Sequence, residues 1–194
     1  VSNDQTIRLW DVGTGEKLLE LREEDSGEVY WVDFNSTGTQ ITTAARNGRE
    51  GWASVWDLET GQKLFELHKG NSDLTSAIFS PDDSIIATTG YDQTAKLWDA
   101  KTGELISTLY GHSEAVTSAS FSPDGKRIAT SSWDRRVRIW DVATGQQLFE
   151  LGGHTREIIC VAFSPDGTRV VTASGDQTVR VWNVAETYEY RTLV

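Results

Sequence analysis

The chain has 194 residues, with 18 lysines and arginines against 29 aspartates and glutamates, for a formal charge of −11. With 38% hydrophobic residues and no apolar run of membrane-spanning length, it reads as a soluble globular protein whose surface repels nucleic acid and anionic membrane. A single cysteine, Cys160, excludes an internal disulfide and a thiolate metal cluster and fits a reducing, cytoplasmic setting; within IICVAF it is expected to be a small buried hydrophobe. The chain begins at Val1 and contains no methionine, as expected of a segment of a longer protein.

The elements follow one repeated order. An opening segment ends in Trp10-Asp11 and a Thr14-Gly15 turn. After it the same succession returns: a strand closing on an FSPDG-like turn, a second strand, a D-x-T turn, a third strand ending in Trp-Asp, a Thr-Gly turn and a fourth strand. The turn after the first strand reads FNSTG at Phe34–Gly38, FSPDD at Phe79–Asp83, and FSPDG at Phe121–Gly125 and Phe163–Gly167. Trp-Asp or Trp-Asn falls at Trp10, Trp56, Trp98, Trp140 and Trp182, in steps of 46, 42, 42 and 42 residues. Thr-Gly recurs at Thr60-Gly61, Thr102-Gly103 and Thr144-Gly145.

Segments between the turns, such as VTSASF, RIATSS, VRIW and QLFEL, are short and rich in β-branched residues. None keeps an apolar spacing of three and four over a dozen residues, so strands are expected, and tight turns make their pairing antiparallel. Four strands and one Trp-Asp per period, in frame with Gly-His, FSPDG and D-x-T, resemble the WD-repeat β-propeller family over essentially the whole chain. The resemblance implies an all-β fold of propeller blades, each of four antiparallel strands: a half blade at 1–22 and complete blades at 23–68, 69–110, 111–152 and 153–194. Four and a half blades make an arc, so the chain is expected to be part of a larger ring, completed by further blades of a longer chain or by self-association. The last blade departs from pattern, with Asn183 for aspartate, Glu186-Thr187 for the Thr-Gly turn, and Tyr188 and Tyr190 on its final strand.

The resemblance also implies a hydrogen-bonded tetrad in each blade. His112, Thr130, Asp134 and Trp140 supply it in one blade, and His154, Thr172, Asp176 and Trp182 at the same offsets in the next. A His-Asp-Thr grouping that repeats with a tryptophan is structural, not a catalytic triad. Blade 69–110 keeps Thr88, Asp92 and Trp98 but has Gly70 for histidine; blade 23–68 keeps Thr43 and Trp56, with Asp25 at the histidine position and Asn47 at the aspartate. No phosphate loop, dinucleotide fingerprint or metal-ligand spacing occurs, so no catalytic residue, metal or cofactor is assigned.

Departures from the repeat mark candidates for recognition. Trp31, Trp52 and Trp133 lie outside the Trp-Asp frame. Trp133 and Tyr91 share a freely varying position before the turn aspartate, on the loop joining second and third strands, which in WD-repeat proteins lies at the top face. The 46-residue step places three extra residues in RNGREGW, so Arg46, Arg49 and Trp52 are expected on a protruding loop of that face. With Glu114 and Arg156 beside the first strands, these residues form a partner-binding patch rich in the types enriched at binding centres. The basic residues two before each tryptophan (Arg8, Lys96, Arg138 and Arg180) are expected in solvent, their stems covering apolar surface. The expected function is a non-catalytic scaffold binding protein or peptide partners through the top-face loops. The alternative is a sensor or regulatory propeller of a larger signal-transduction NTPase or other multidomain enzyme.

Overall fold

The computed structural model describes residues 4–23, 28–47, 50–70 (backbone only for 68–70) and 72–185. Seventeen strands, β1 to β17, make up its regular structure, with no helix among the described residues. β1 (Thr6–Trp10) and β2 (Lys17–Arg22) form a two-stranded sheet. Three four-stranded antiparallel sheets follow, each in chain order from inside to outside. The first holds β3 (Glu28–Phe34), β4 (Gln40–Asn47), β5 (Glu50–Asp57) and β6 (Lys63–Gly70). The second holds β7 (Leu74–Phe79), β8 (Ile85–Gly90), β9 (Ala95–Asp99) and β10 (Leu105–Leu109). The third holds β11 (Val116–Phe121), β12 (Arg127–Ser132), β13 (Arg136–Asp141) and β14 (Gln147–Gly152). A last sheet contains β15 (Ile158–Phe163), β16 (Arg169–Ser174) and β17 (Val179–Asn183); the fourth strand expected for it, with Tyr188 and Tyr190, lies outside the described residues.

These sheets are propeller blades, stacked face to face through an alternation in the third strand. In β5, Ala53 and Val55 face the following sheet, where they join Leu67 in one core with Leu74, Ala77, Ile86 and Trp98. Trp56 points the other way, into a core with Ile7 and Leu21 of the half blade. The next boundary repeats the scheme: Ala95, Leu97 and Leu109 meet Phe121, Ile128 and Trp140. At the last one, Val137 and Ile139 meet Ile158, Val161 and Val170, with Trp182 packed against them. Each in-frame indole therefore leans on the preceding blade. Trp10, with no preceding blade among the described residues, is 52% exposed.

Polar contacts between first strands fix the blades around the axis. Thr75 Oγ1 donates to the Val116 carbonyl at 2.6 Å, and Thr117 Oγ1, one blade on, to the Ile158 carbonyl at 2.8 Å. The Tyr30 hydroxyl makes the same link to the Leu74 carbonyl, and burial pushes its pKa upward. Three residues further along, Asp33 and Ser120 accept from the Phe79 and Phe163 amides, each at 3.1 Å. Burial raises the Asp33 pKa against the opposing pull of the Phe79 amide. Trp31 is partly buried on this inner surface and packs against two adjacent cores.

Among the described residues the stack does not close. The free face of the last sheet carries two cross-strand rows, Cys160–Ala173–Val179 and Ala162–Val171–Val181. Cys160 is exposed, not buried as its apolar run suggests, because no described sheet covers this side of β15. The same register positions one blade earlier hold Ala129, Val137 and Ile139, all at 0% exposure. Ile139→Ala should therefore cost about 2–5 kcal/mol, whereas Val181→Ala at the equivalent position should stay within about 0.5 kcal/mol, both read from urea unfolding midpoints.

Candidate functional site

The turns that carry the variable residues are built from local polar chemistry. Asp92, Asp134 and Asp176 each accept the backbone amide two residues on, at 3.1, 2.9 and 3.0 Å, closing an Asx turn. The middle residue is left-handed although not glycine, with φ 68° at Gln93, 70° at Arg135 and 68° at Gln177. The position before the aspartate is tied to the loop leading into the first strand. The Tyr91, Trp133 and Gly175 amides donate to the Asp73, Ala115 and Glu157 carbonyls, at 2.9, 3.0 and 2.9 Å. A bulky or small side chain is thus presented from the same backbone.

Below these turns lies a relay of hydrogen bonds. Trp140 Nε1 donates to Thr130 Oγ1 at 2.9 Å, and Thr130 Oγ1 lies 2.8 Å from His112 Nε2. His112 Nδ1 is 2.7 Å from Asp134 Oδ2, and the carboxylate can only accept, so the ring proton sits on Nδ1 and the Thr130 hydroxyl donates to Nε2. His154, Thr172, Asp176 and Trp182 repeat the chain at 2.9, 2.8 and 2.7 Å. Glycine precedes both His112 and His154 for a visible reason: φ is 157° at Gly111 and 153° at Gly153, and a Cβ there would meet the Trp140 or Trp182 ring at 3.2 or 3.3 Å. Burial pushes the Asp134 pKa up, yet the His112 hydrogen bond and its neighbours hold it well below the usual carboxylate range. At Asp176 the Thr178 hydroxyl is the main cause of a depression of the same kind.

The other blades reach the same end with different groups. Lys96 donates to Asp92 and to Thr94 Oγ1, supplying a cation where Gly70 replaces histidine. Arg138 bridges Asp134 and Glu150 at 2.8 and 3.0 Å, and Arg8 bridges Asp4 and Glu20 at 3.0 and 3.1 Å. These strand bases are therefore ion-paired instead of simply solvated, since their position faces the turn aspartate. Arg180 lies over the Trp182 ring, 6.0 Å from its centre. In the first complete blade, Asp25 lies outside the described residues and Glu23 is the hub. Its carboxylate, at 0% side-chain exposure, accepts from Thr43 Oγ1 at 3.1 Å, Trp52 Nε1 at 3.3 Å and Lys63 Nζ at 2.7 Å.

That hub corrects the expectation for RNGREGW. The extra residues lengthen the hairpin instead of forming a protruding loop, and the ladder continues through Ala45↔Trp52, Arg46↔Gly51 and Asn47↔Glu50. Strand alternation then turns Trp52 inward, against Ile7, Leu21 and Val29, and it is 1% exposed. Trp52 is a core residue, not a surface anchor. Arg49 lies outside the described residues. Arg46 is exposed but engaged, with Glu28 at 3.4 Å, Asp73 at 3.6 Å and the Tyr30 ring beneath it at 5.7 Å.

The remaining candidates converge around one aromatic pair. Tyr91 and Trp133, from adjacent blades, meet edge to face with centres 5.3 Å apart and planes at 88°. Each is 45% exposed. Trp133 and Glu114 line a cleft of about 730 Å³ together with Ser113, Asp134, Arg135, Glu157 and Ile159. Arg156 stands beside it, its guanidinium 3.5 Å from Glu157. Glu157 and Ile159 escaped the sequence reading because they sit at the start of an ordinary strand; the only hint is that Glu157 takes the place held by Asp73 and Ala115.

Comparison with protein families matches the model described as WD domain, G-beta repeat, at residues 61–99, 103–141 and 145–183, more than half of the chain. The chain belongs to the WD-repeat family. Each matched WD repeat straddles two sheets: 103–141 holds outer strand β10 and then β11, β12 and β13 of the following blade. WD repeats generally mediate protein interactions and scaffolding and are typically non-catalytic. No curated protein matches this WD-repeat chain.

Two outcomes follow from the relay and the hub. Asp134→Asn should lower stability at neutral pH by about 1–3 kcal/mol. Because the folded pKa of Asp134 is depressed, its contribution is complete above the ordinary carboxylate pKa of about 4 and is lost as pH falls below it, so the gap to the parent should narrow in acid. Urea titrations at pH 7 and pH 3 measure this. Lys63→Met, which leaves the Glu23 carboxylate buried without its cation, should cost about 3–5 kcal/mol by thermal or urea unfolding.

Proposed function

We propose that this WD-repeat chain is a non-catalytic interaction scaffold that engages a protein or peptide through the surface around Tyr91 and Trp133. The observation that carries the reading is this half-exposed aromatic pair, shared by adjacent blades and set beside a cleft. An edge-to-face pair in solvent keeps apolar area exposed, and rigid aromatic anchors of this kind supply much of the energy of protein interfaces. Its backbone is held by the Asx turns and the loop amides, so little ordering remains to be done on binding.

Arg46, Glu114 and Arg156 belong to the same reading as a charged surround. Exposed charges of this sort steer encounter and set specificity more than they add affinity. The acidic balance of the chain favours protein over nucleic acid as the partner.

Captured partners should be identified by mass spectrometry, purified and rebound to the parent chain, Trp133→Ala and Tyr91→Ala. Each substitution should weaken binding by about tenfold or more, as truncation of an interface anchor does, while unfolding midpoints stay near the parent value. A partner bound equally by both variants would remove this surface from the assignment.

A further inference from the structure

The variable position before the turn aspartate reads Arg46, Tyr91, Trp133 and Gly175 in successive blades. The row of side chains stops at Gly175, and Glu157 fills the vacancy: a Cβ on Gly175 would lie 2.2 Å from Glu157 Oε1. A carboxylate thus stands where a further ring would have continued the row, and the cleft opens beside Trp133.

The lining of that cleft holds three carboxylates and one guanidinium, that of Arg135. Asp134 is committed to His112 and Arg138. Glu157 shares an exposed contact with Arg156 at 3.5 Å, a pairing of little strength in water. Glu114 has no ion pair among the described residues; its backbone carbonyl, not its carboxylate, is used by Ser132 Oγ. Ile159 is 58% exposed and adds apolar surface.

We propose that this cleft receives the cationic side chain of a basic peptide, arginine or lysine, against the Trp133 ring and with Glu114 and Glu157 as counter-charges. This rests on the reading of the surface as a peptide-interaction face. The ring attracts a cation to its face, and a guanidinium or ammonium in contact with carboxylates forms charge-assisted hydrogen bonds. A neutral apolar ligand would strip water from both glutamates without repayment, and an anion would meet a chain of net charge −11.

The test uses the full chain labelled with 5-fluorotryptophan, which places one fluorine on each of the eight indoles. Trp133→Phe assigns the reporter, and the Trp140 and Trp182 signals monitor the fold. The probes are acetyl-Gly-X-Gly-amide peptides with X as arginine, lysine, citrulline or glutamate. Arginine and lysine peptides should shift the Trp133 resonance saturably. Citrulline, which keeps the shape of arginine without its charge, should bind at least tenfold more weakly. The double variant Glu114→Gln/Glu157→Gln should weaken the arginine peptide at least fivefold with the Trp140 signal in place. An unmoved Trp133 resonance, or equal shifts from citrulline or glutamate peptides, overturns the proposal. Should that happen while Trp133→Ala still abolishes capture of a purified partner, the interaction reading stands and the cation assignment alone falls.

Discussion

The structure depends on an indole laid across the gap between two sheets. Trp56, Trp98, Trp140 and Trp182 each fill the boundary with the preceding blade while their Nε1 atoms are satisfied inside their own sheet by Thr43, Thr88, Thr130 and Thr172. The hydrophobic effect sets sheet against sheet without regard to direction. The hydrogen bond to threonine adds the direction, because an indole rotated out of place would bury an unpaired N–H. A threonine that serves the indole needs a further partner for its own proton; histidine stands there for Thr130 and Thr172, and glutamate for Thr43. From there the network reaches the turns that present the variable residues.

Blade-to-blade variation in that network follows one rule: a buried or half-buried carboxylate must be matched by donors or a cation. His112 and Arg138 serve Asp134; Lys96 serves Asp92; Lys63, Thr43 and Trp52 serve Glu23. The chemistry differs from blade to blade while each of these carboxylates keeps its donors. This explains how the first complete blade can lack the His-Asp pair and still bury its central threonine completely.

The order of four antiparallel strands in each complete sheet was legible because the signals that set it are local. An Asp two residues before Thr, a Gly before His and a Thr-Gly pair each close a turn within their own neighbourhood, and the repeat states them several times over. What was not legible depends on the neighbouring blade or on pairing across a hairpin. Trp52 looks like a loop residue until the ladder from Ala45 to Asn47 is seen to continue opposite it. Cys160 looks buried until the sheet beside it is counted. Within the candidate site, Trp133 and Tyr91 stood out as breaks in the repeat, and their mutual contact and the part played by Glu157 emerged only from the stacking of adjacent blades.

The amide that anchors Tyr91, Trp133 and Gly175 makes the same hydrogen bond whatever side chain it carries. Side-chain identity at that position is thereby uncoupled from backbone geometry. Such a scaffold can exchange residues there freely during divergence, one blade at a time, without renegotiating its architecture. Related arrays could then differ widely in ligand preference while remaining superimposable in their main chain, and specificity would drift faster than fold.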